Sequence, residues 1–146
     1  MGVRRFLSGR WLAPFLLAMG LVSVAHAVEP VVGETYVLTS GEYEGHLVWV
    51  GKIEESSPSP IVHLAVNGPF HSGGNAGFVI PLFGHLPIAV EAFRDSDLAV
   101  SEEKWSAEES VEEGYEVWID ARGGVFTLSI SDAVTYGLEV VGQQSQ

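Results

Sequence analysis

The chain has 146 residues, with seven Lys and Arg against 19 Asp and Glu, a formal net charge of −12 and no cysteine. A chain this acidic repels nucleic acid and anionic lipid headgroups, which argues against both as partners. Apolar residues make up 47% of the chain, too many for a disordered protein, and the lack of cysteine excludes disulfides, thiolate metal sites and a lipid anchor on cysteine.

The first 27 residues have the three parts of a secretory signal. Three arginines and no acid lie within the first ten residues, an apolar run covers residues 11–24, and the small residues Ala25 and Ala27 follow. This order predicts a signal peptide at residues 1–27 that is cleaved after Ala27. Because an exported domain without disulfides is typical of bacteria, we expect a periplasmic or secreted protein.

A retained membrane anchor is the alternative for this segment. The apolar run has 14 residues and is interrupted by Pro14 and Gly20, whereas a spanning helix needs about 20 apolar residues. The Arg4-Arg5 pair raises the twin-arginine route, but Phe6 follows the pair without the usual intervening residue. We therefore expect cleavage, and no contact with the membrane afterwards.

Residues 28–146 are long enough for a single domain with a sizeable core. All 19 acidic residues and only four basic ones lie in this part, which gives it a formal charge of −15. A field of that sign attracts basic proteins, although net charge also serves solubility alone. A basic protein is therefore the partner that the charge favours.

Three strands are predicted at the start of this domain. Residues 35–39, 46–54 and 61–67 are rich in β-branched and aromatic side chains. The loop at 55–60 contains two prolines and joins the last two strands. This arrangement predicts an antiparallel hairpin.

Alternation sorts the second predicted strand into two faces. Trp49 and Ile53 fall on one face, and Val48 and Val50 on the other. Gly51 lies between these groups and predicts a bulge.

The next stretch is rich in glycine and proline. Residues 67–77 predict a mobile loop, and residues 78–82 a short strand that ends at Pro81. Pro87 suits the first position of a helix, where its missing N–H costs nothing. The buried side of that helix would consist of Ile88, Ala92 and Phe93.

Two longer helices follow. Ser110–Glu113 has the form of a capping box, and Ser106–Glu109 is a second candidate one turn earlier. Residues 124–128 predict a strand, after which Ser129 or Ser131 caps the last helix. The apolar stripe expected on the first of these helices consists of Val111, Tyr115, Trp118 and Ile119.

Strands followed by helices, with one late strand, predict an α+β domain. We expect a small antiparallel sheet of about four strands, covered on one side by two or three helices, with a helix–strand–helix ending. The strands and helices do not alternate as a doubly wound parallel fold requires.

Histidines are the candidate site residues if the protein is an enzyme or binds a metal. His71, His85 and Glu91 supply side chains that zinc prefers, and both histidines fall in predicted loops. No H-E-x-x-H motif is present, however. The structural alternative is that His63 packs within its strand and His85 bonds the backbone. We expect no metal and no cofactor.

Catalytic motifs are missing from the glycine-rich loop. Ser72 is not part of a G-x-S-x-G sequence, and no lysine follows the glycines as in a phosphate-binding loop. The paired acids at 108–109 and 112–113 fit the negative charge that a helix N-terminus favours, rather than acid–base catalysis.

The stretch around Trp105 is the candidate contact with a partner. Trp105 lies between acidic pairs, and tryptophan is enriched in interface hot spots. Glu108 and Glu109 would steer a basic partner by their charge. Packing of Trp105 over the sheet is the structural alternative.

Several short strings resemble a family of small uncharacterised bacterial proteins. They are V-G-K-I-E at 50–54, V-H-L-A-V at 62–66, H-L-P-I at 85–88, E-A-F at 91–93, E-E-G-Y-E-V-W at 112–118 and G-V-F-T-L at 124–128. The resemblance spans most of residues 45–140 and implies one compact fold. It implies no activity, cofactor or site.

Small size, export, negative charge and missing catalytic motifs together favour a binding domain over an enzyme. We expect an inhibitor-like or immunity-like protein whose acidic surface meets a basic partner. The alternatives are a binder of small ligands, with its pocket between the 68–77 loop and the sheet, and a metal-dependent enzyme that uses the loop histidines.

Cleavage of the signal peptide is directly testable. N-terminal sequencing of the extracellular or periplasmic form is expected to begin at Val28, because small residues at 25 and 27 suit the signal peptidase. Recovery of an intact Met1 form from the membrane would contradict the assignment.

Overall fold

The computed structural model describes residues 26–72, 77 and 79–144. Its strands are β1 (Thr35–Leu38), β2 (Leu47–Glu54), β3 (Ile61–His71), β4 (Val79–Ala89) and β5 (Leu98–Val100), and its helices are α1 (Val90–Arg94), α2 (Glu108–Asp120) and α3 (Ile130–Gln144). The strands form one open antiparallel sheet in the order β4-β3-β2-β1-β5. The predicted α+β class is confirmed, with one strand more than expected.

The predicted signal peptide lies almost entirely outside the described residues. Of residues 1–27, only His26 and Ala27 are described, and they precede the first strand without regular secondary structure. Within the described part of the chain, no helix has the length and apolar character needed to cross a membrane.

The predicted hairpin of β2 and β3 is confirmed, and so is the bulge at Gly51. The pairing register shifts between Val50 and Lys52, so two residues of β2 occupy the space of one. After the shift Ile53 pairs with Val62, and both join the core on the face opposite Trp49. The prediction that Ile53 shares a face with Trp49 is therefore wrong, because strict alternation does not pass through a bulge.

Helices cover both faces of the sheet, which corrects the expectation of a one-sided cover. On one face α1 and α3 complete the main core, whose members include Tyr36, Val50, Leu64, Phe93 and Val134. On the other face α2 places Val111 against Trp49 and Ala65. The sheet is thus the middle of three layers.

β4 is much longer than the short strand predicted at 78–82. It runs through Pro81 and Pro87, and α1 begins only at Val90. The proline-initiated helix is therefore wrong at its start, although Ala92 and Phe93 are buried as expected. The physical reason is that β4 is an edge strand, where a proline without an N–H is tolerated.

The loop predicted at residues 67–77 is shorter in the structure. Asn67 to His71 belong to β3 and pair with β4. Residues 73–76 lie outside the described residues.

The ends of α2 and α3 differ in how well they were predicted. α2 begins at Glu108 after Ala107 without a side-chain cap, so neither predicted capping box forms. Ser129 does cap α3, since its hydroxyl accepts a hydrogen bond from the N–H of Asp132 at 3.2 Å. The strand predicted at 124–128 is only a single parallel bridge between Ile88 and Phe126.

The inner face of α2 is largely as predicted. Val111 is buried, and Tyr115 and Trp118 are half-buried against the sheet. Ile119, which was expected in the same stripe, is exposed. Its position one residue after Trp118 turns it by about 100° towards solvent.

Two identical substitutions on α2 test this burial pattern. Val111 is 3% exposed and Val117 is 68% exposed. Val111→Ala is expected to lower the free energy of unfolding by about 2–3 kcal/mol, since it removes two buried methyl groups and leaves a cavity. Val117→Ala should change it by less than about 0.5 kcal/mol. Denaturant melts that give equal losses would contradict the assigned face.

Candidate functional site

A large cleft lies on the α2 side of the molecule, at the edge strand. β4, α2, the connection after α2 and Tyr136 of α3 surround it, and its volume is about 1030 Å³. Most of its lining is apolar, including Leu82, Val117, Trp118 and Phe126. The few polar lining side chains are those of His85, Ser110, Glu113 and Tyr136.

Gly114 brings α2 close to β4 at one end of the cleft. A Cβ atom built on Gly114 would lie 2.2 Å from Cβ of His85, so no larger residue fits without displacing the helix. A glycine within a helix costs about 1 kcal/mol relative to alanine, and here the close approach requires it. The helix backbone therefore packs directly on the side chain of His85.

Two histidines on neighbouring strands lie side by side next to the floor of the cleft. His63 on β3 is fully buried, and its Nδ1 lies 2.9 Å from Nε2 of His85 on β4. The two rings are nearly parallel, at 8°, with centroids 5.2 Å apart. The centroid separation is close to the sum of the 2.9 Å Nδ1···Nε2 distance and the radii of the two rings. The rings therefore lie edge to edge and share a hydrogen bond.

A carboxylate completes the array on the far side of His63. Oε2 of Glu54 lies 3.5 Å from Nε2 of His63, and it also accepts a hydrogen bond of 2.9 Å from the hydroxyl of Tyr115. The ammonium group of Lys52 lies 3.9 Å from the centroid of the Tyr115 ring. Both Lys52 and Glu54 reach this face because they follow the bulge at Gly51.

The aromatic rings of two α2 residues shield His63 from water. The rings of Tyr115 and Trp118 meet it at steep angles, with centroids 4.8 and 5.0 Å away. The indole N–H of Trp118 donates to the carbonyl of Gly124 at 2.8 Å, which fixes the ring between the cleft and the histidines.

Burial keeps both imidazoles neutral. Burial, with a smaller contribution from charge on His63, lowers the pKa of His85 to about 4. Burial also lowers the pKa of His63, although the Glu54 carboxylate opposes that effect. The two imidazoles are therefore an uncharged hydrogen-bonded pair at neutral pH.

The structure does not bring His71, His85 and Glu91 together. His71 is exposed and pairs with Val79, six residues before His85 on β4 and so roughly 20 Å away along the strand. Glu91 is exposed on α1. Among the described residues, no group of three His, Cys, Asp or Glu side chains is placed to hold a metal ion.

Trp105 packs on the sheet, as its structural alternative proposed. It is half-buried beside Trp49 and Val111, and Thr35 holds its backbone through two hydrogen bonds of 2.8 and 3.2 Å. Glu108 and Glu109 are exposed in the first turn of α2, where the helix dipole favours them.

Sequence reasoning named His85 but missed its partner. The sequence analysis places His63 within a strand and Pro87 at the start of a helix. In the structure Pro87 belongs to β4 and pairs with His63, a register that a helix at this position would not allow. The predicted hairpin and its bulge could have placed His63 opposite Lys52, but they carry no signal that His85 lies beside it.

In comparisons with known proteins, no family model, no curated protein and no solved structure matches this chain. The resemblance drawn from its short strings therefore stays a prediction.

Neutral histidines make stability depend on pH in a defined window. In the unfolded chain a histidine takes up a proton near pH 6.5, whereas folded His85 does so only near pH 4. The free energy of unfolding should therefore fall as the pH is lowered from 6.5 to 4, since the unfolded state binds more protons there.

Substitution of His85 separates its contribution to the pH dependence of stability from the contribution of the many carboxylates. In His85→Asn, the proton uptake on unfolding between pH 6.5 and 4 is expected to decrease by up to about one. His71→Asn, at an exposed position on the neighbouring strand, is the matched control and should behave as the wild type. Urea melts across this pH range measure both, and identical slopes for the two variants would refute the assignment.

Proposed function

We propose that this protein binds a small, mainly apolar molecule in the cleft beside α2. The observation that carries the proposal is a cavity of about 1030 Å³ with a mostly apolar lining and a single imidazole on its floor. Ligand sites in proteins have this character, with volumes of about 300–1,000 Å³ and a few placed polar groups.

Exposed apolar side chains at the mouth of the cleft support the proposal. Val117 and Tyr136 line the cleft and are 68% and 52% exposed. Exposed apolar side chains that line a cleft are typical of ligand-binding grooves. A ligand that covers these residues would remove their apolar area from water.

The setting we propose is the periplasm or the exterior, after cleavage of the signal peptide at residues 1–27. The formal charge of −15 on residues 28–146 disfavours an anionic ligand. Glu113 adds a negative charge to the lining itself. Burial of a cation in the mostly apolar lining would also be costly, so neutral molecules are the ligands that the site favours.

A basic protein partner is the second candidate. The observation in its favour is that α2 exposes Glu108 and Glu109 at its start and Val117 and Ile119 further along. A partner with an apolar anchor and a basic rim would match this helix. Its association rate would fall steeply with salt, whereas the binding of a neutral small molecule would not.

A neutral fluorescent probe tests ligand binding. N-phenyl-1-naphthylamine is expected to bind with increased fluorescence, and Val117→Glu should weaken it at least about tenfold by placing a charge in the apolar lining. The matched control is Val100→Glu on β5, which is also exposed but lies at the other edge of the sheet. It should bind as the wild type does.

Absence of binding, or equal weakening by both substitutions, would count against a ligand site in the cleft. In that case capture of a basic protein at low salt, lost in Val117→Glu, would favour the second candidate.

A further inference from the structure

The positions of the protons on His63 and His85 follow from the groups that face each ring nitrogen. A carboxylate only accepts hydrogen bonds, so Oε2 of Glu54 favours a proton on the facing Nε2 of His63. A neutral imidazole with its proton on Nε2 has an acceptor at Nδ1. Because Nδ1 of His63 faces Nε2 of His85 at 2.9 Å, His85 must donate from Nε2.

Nδ1 of His85 is then left as an acceptor on the cleft side. No side chain of Gly114 covers this nitrogen, since a Cβ atom there would lie 3.3 Å from it, and His85 is only half-buried. Gly114 and His85 both line the cleft. Within the described part of the chain, the only hydrogen bond of the His85 ring is that to His63.

We propose that Glu54, acting through His63, fixes His85 as a hydrogen-bond acceptor, and that the cleft takes a neutral apolar molecule bearing one hydroxyl or N–H donor. This inference rests on the proposed function and names the ligand class for the same site. The rest of the lining is mostly apolar, so most of the ligand surface should be apolar as well.

Glu54 is a positioning residue in this arrangement. It does not line the cleft; its carboxylate accepts a hydrogen bond from Tyr115, and the same oxygen faces Nε2 of the neutral His63 ring at 3.5 Å. Its effect on the ligand is therefore carried entirely by the choice of tautomer.

A pair of ligands of equal shape tests the acceptor. 2-Naphthol and 2-methylnaphthalene differ by a hydroxyl in place of a methyl group, and calorimetry or ligand-observed NMR gives their affinities. In His85→Leu the ratio of naphthol to methylnaphthalene affinity is expected to fall about tenfold, the scale of one lost hydrogen bond. His71→Leu is the control and should keep the ratio of the wild type.

A second variant separates tautomer choice from packing. Glu54→Gln keeps the size of the side chain, but its amide both donates and accepts, so the proton on His63 is no longer fixed. Nitrogen-15 NMR is expected to show His63 and His85 protonated on Nε2 in the wild type and a mixture of tautomers in Glu54→Gln. The naphthol preference should fall in that variant and persist in Glu55→Gln, which changes the neighbouring exposed carboxylate.

The outcomes distinguish this inference from the proposed function. If both compounds bind and His85→Leu leaves their ratio unchanged, the cleft binds apolar molecules but His85 is not the acceptor. A wild-type His85 protonated on Nδ1 would overturn the inference in the same way. If neither compound nor the neutral probe binds, the proposed function fails and the ligand class with it.

Discussion

The bulge at Gly51 determines which side chains of β2 face α2. With strict alternation after Trp49, the strand would turn Ile53 towards α2 and bury Lys52 and Glu54 in the main core. Burial of two charges in an apolar core costs several kcal/mol each. The shifted register instead places Ile53 in the core beside Val62 and both charged residues beside Tyr115 and His63. One extra residue thus satisfies the core and supplies the carboxylate of the histidine array.

The cost of burying His63 depends on the groups that face its two ring nitrogens. A fully buried imidazole loses its hydration, and an unpaired ring nitrogen is costly. Here Nδ1 is paired with His85, while Nε2 has only the carboxylate of Glu54 at 3.5 Å. The incomplete pairing of Nε2 costs less because both rings are neutral. The burial that keeps them neutral is also what lowers the pKa of both histidines. Removal of Glu54 would leave Nε2 with no acceptor, so the carboxylate serves stability as well as proton position.

The sequence predicts the first half of this fold better than the second. β-Branched and aromatic residues and the proline loop locate β1, β2 and the start of β3, and Gly51 locates the bulge, because those signals are local. Pro81 and Pro87 misled the assignment of β4, since nothing local tells an edge strand from a helix start. That single error also concealed the site. His63 and His85 meet only when β4 pairs with β3 through residue 87, and a register of that kind depends on tertiary structure.

The cleft follows from the sizes of the residues on α2. Val111, Gly114 and Trp118 recur along its inner face at spacings of three and four residues, which keeps them facing the sheet. Val111 packs on Trp49, and Gly114 lets the helix approach His85. One turn later Trp118 is held by Gly124 and stands over the same histidines. Gly114 thus brings the helix backbone against His85, and Trp118 adds an apolar wall next to the ring. A larger side chain at position 114 would collide with His85 and displace the helix, and with it the wall of the cleft that α2 provides.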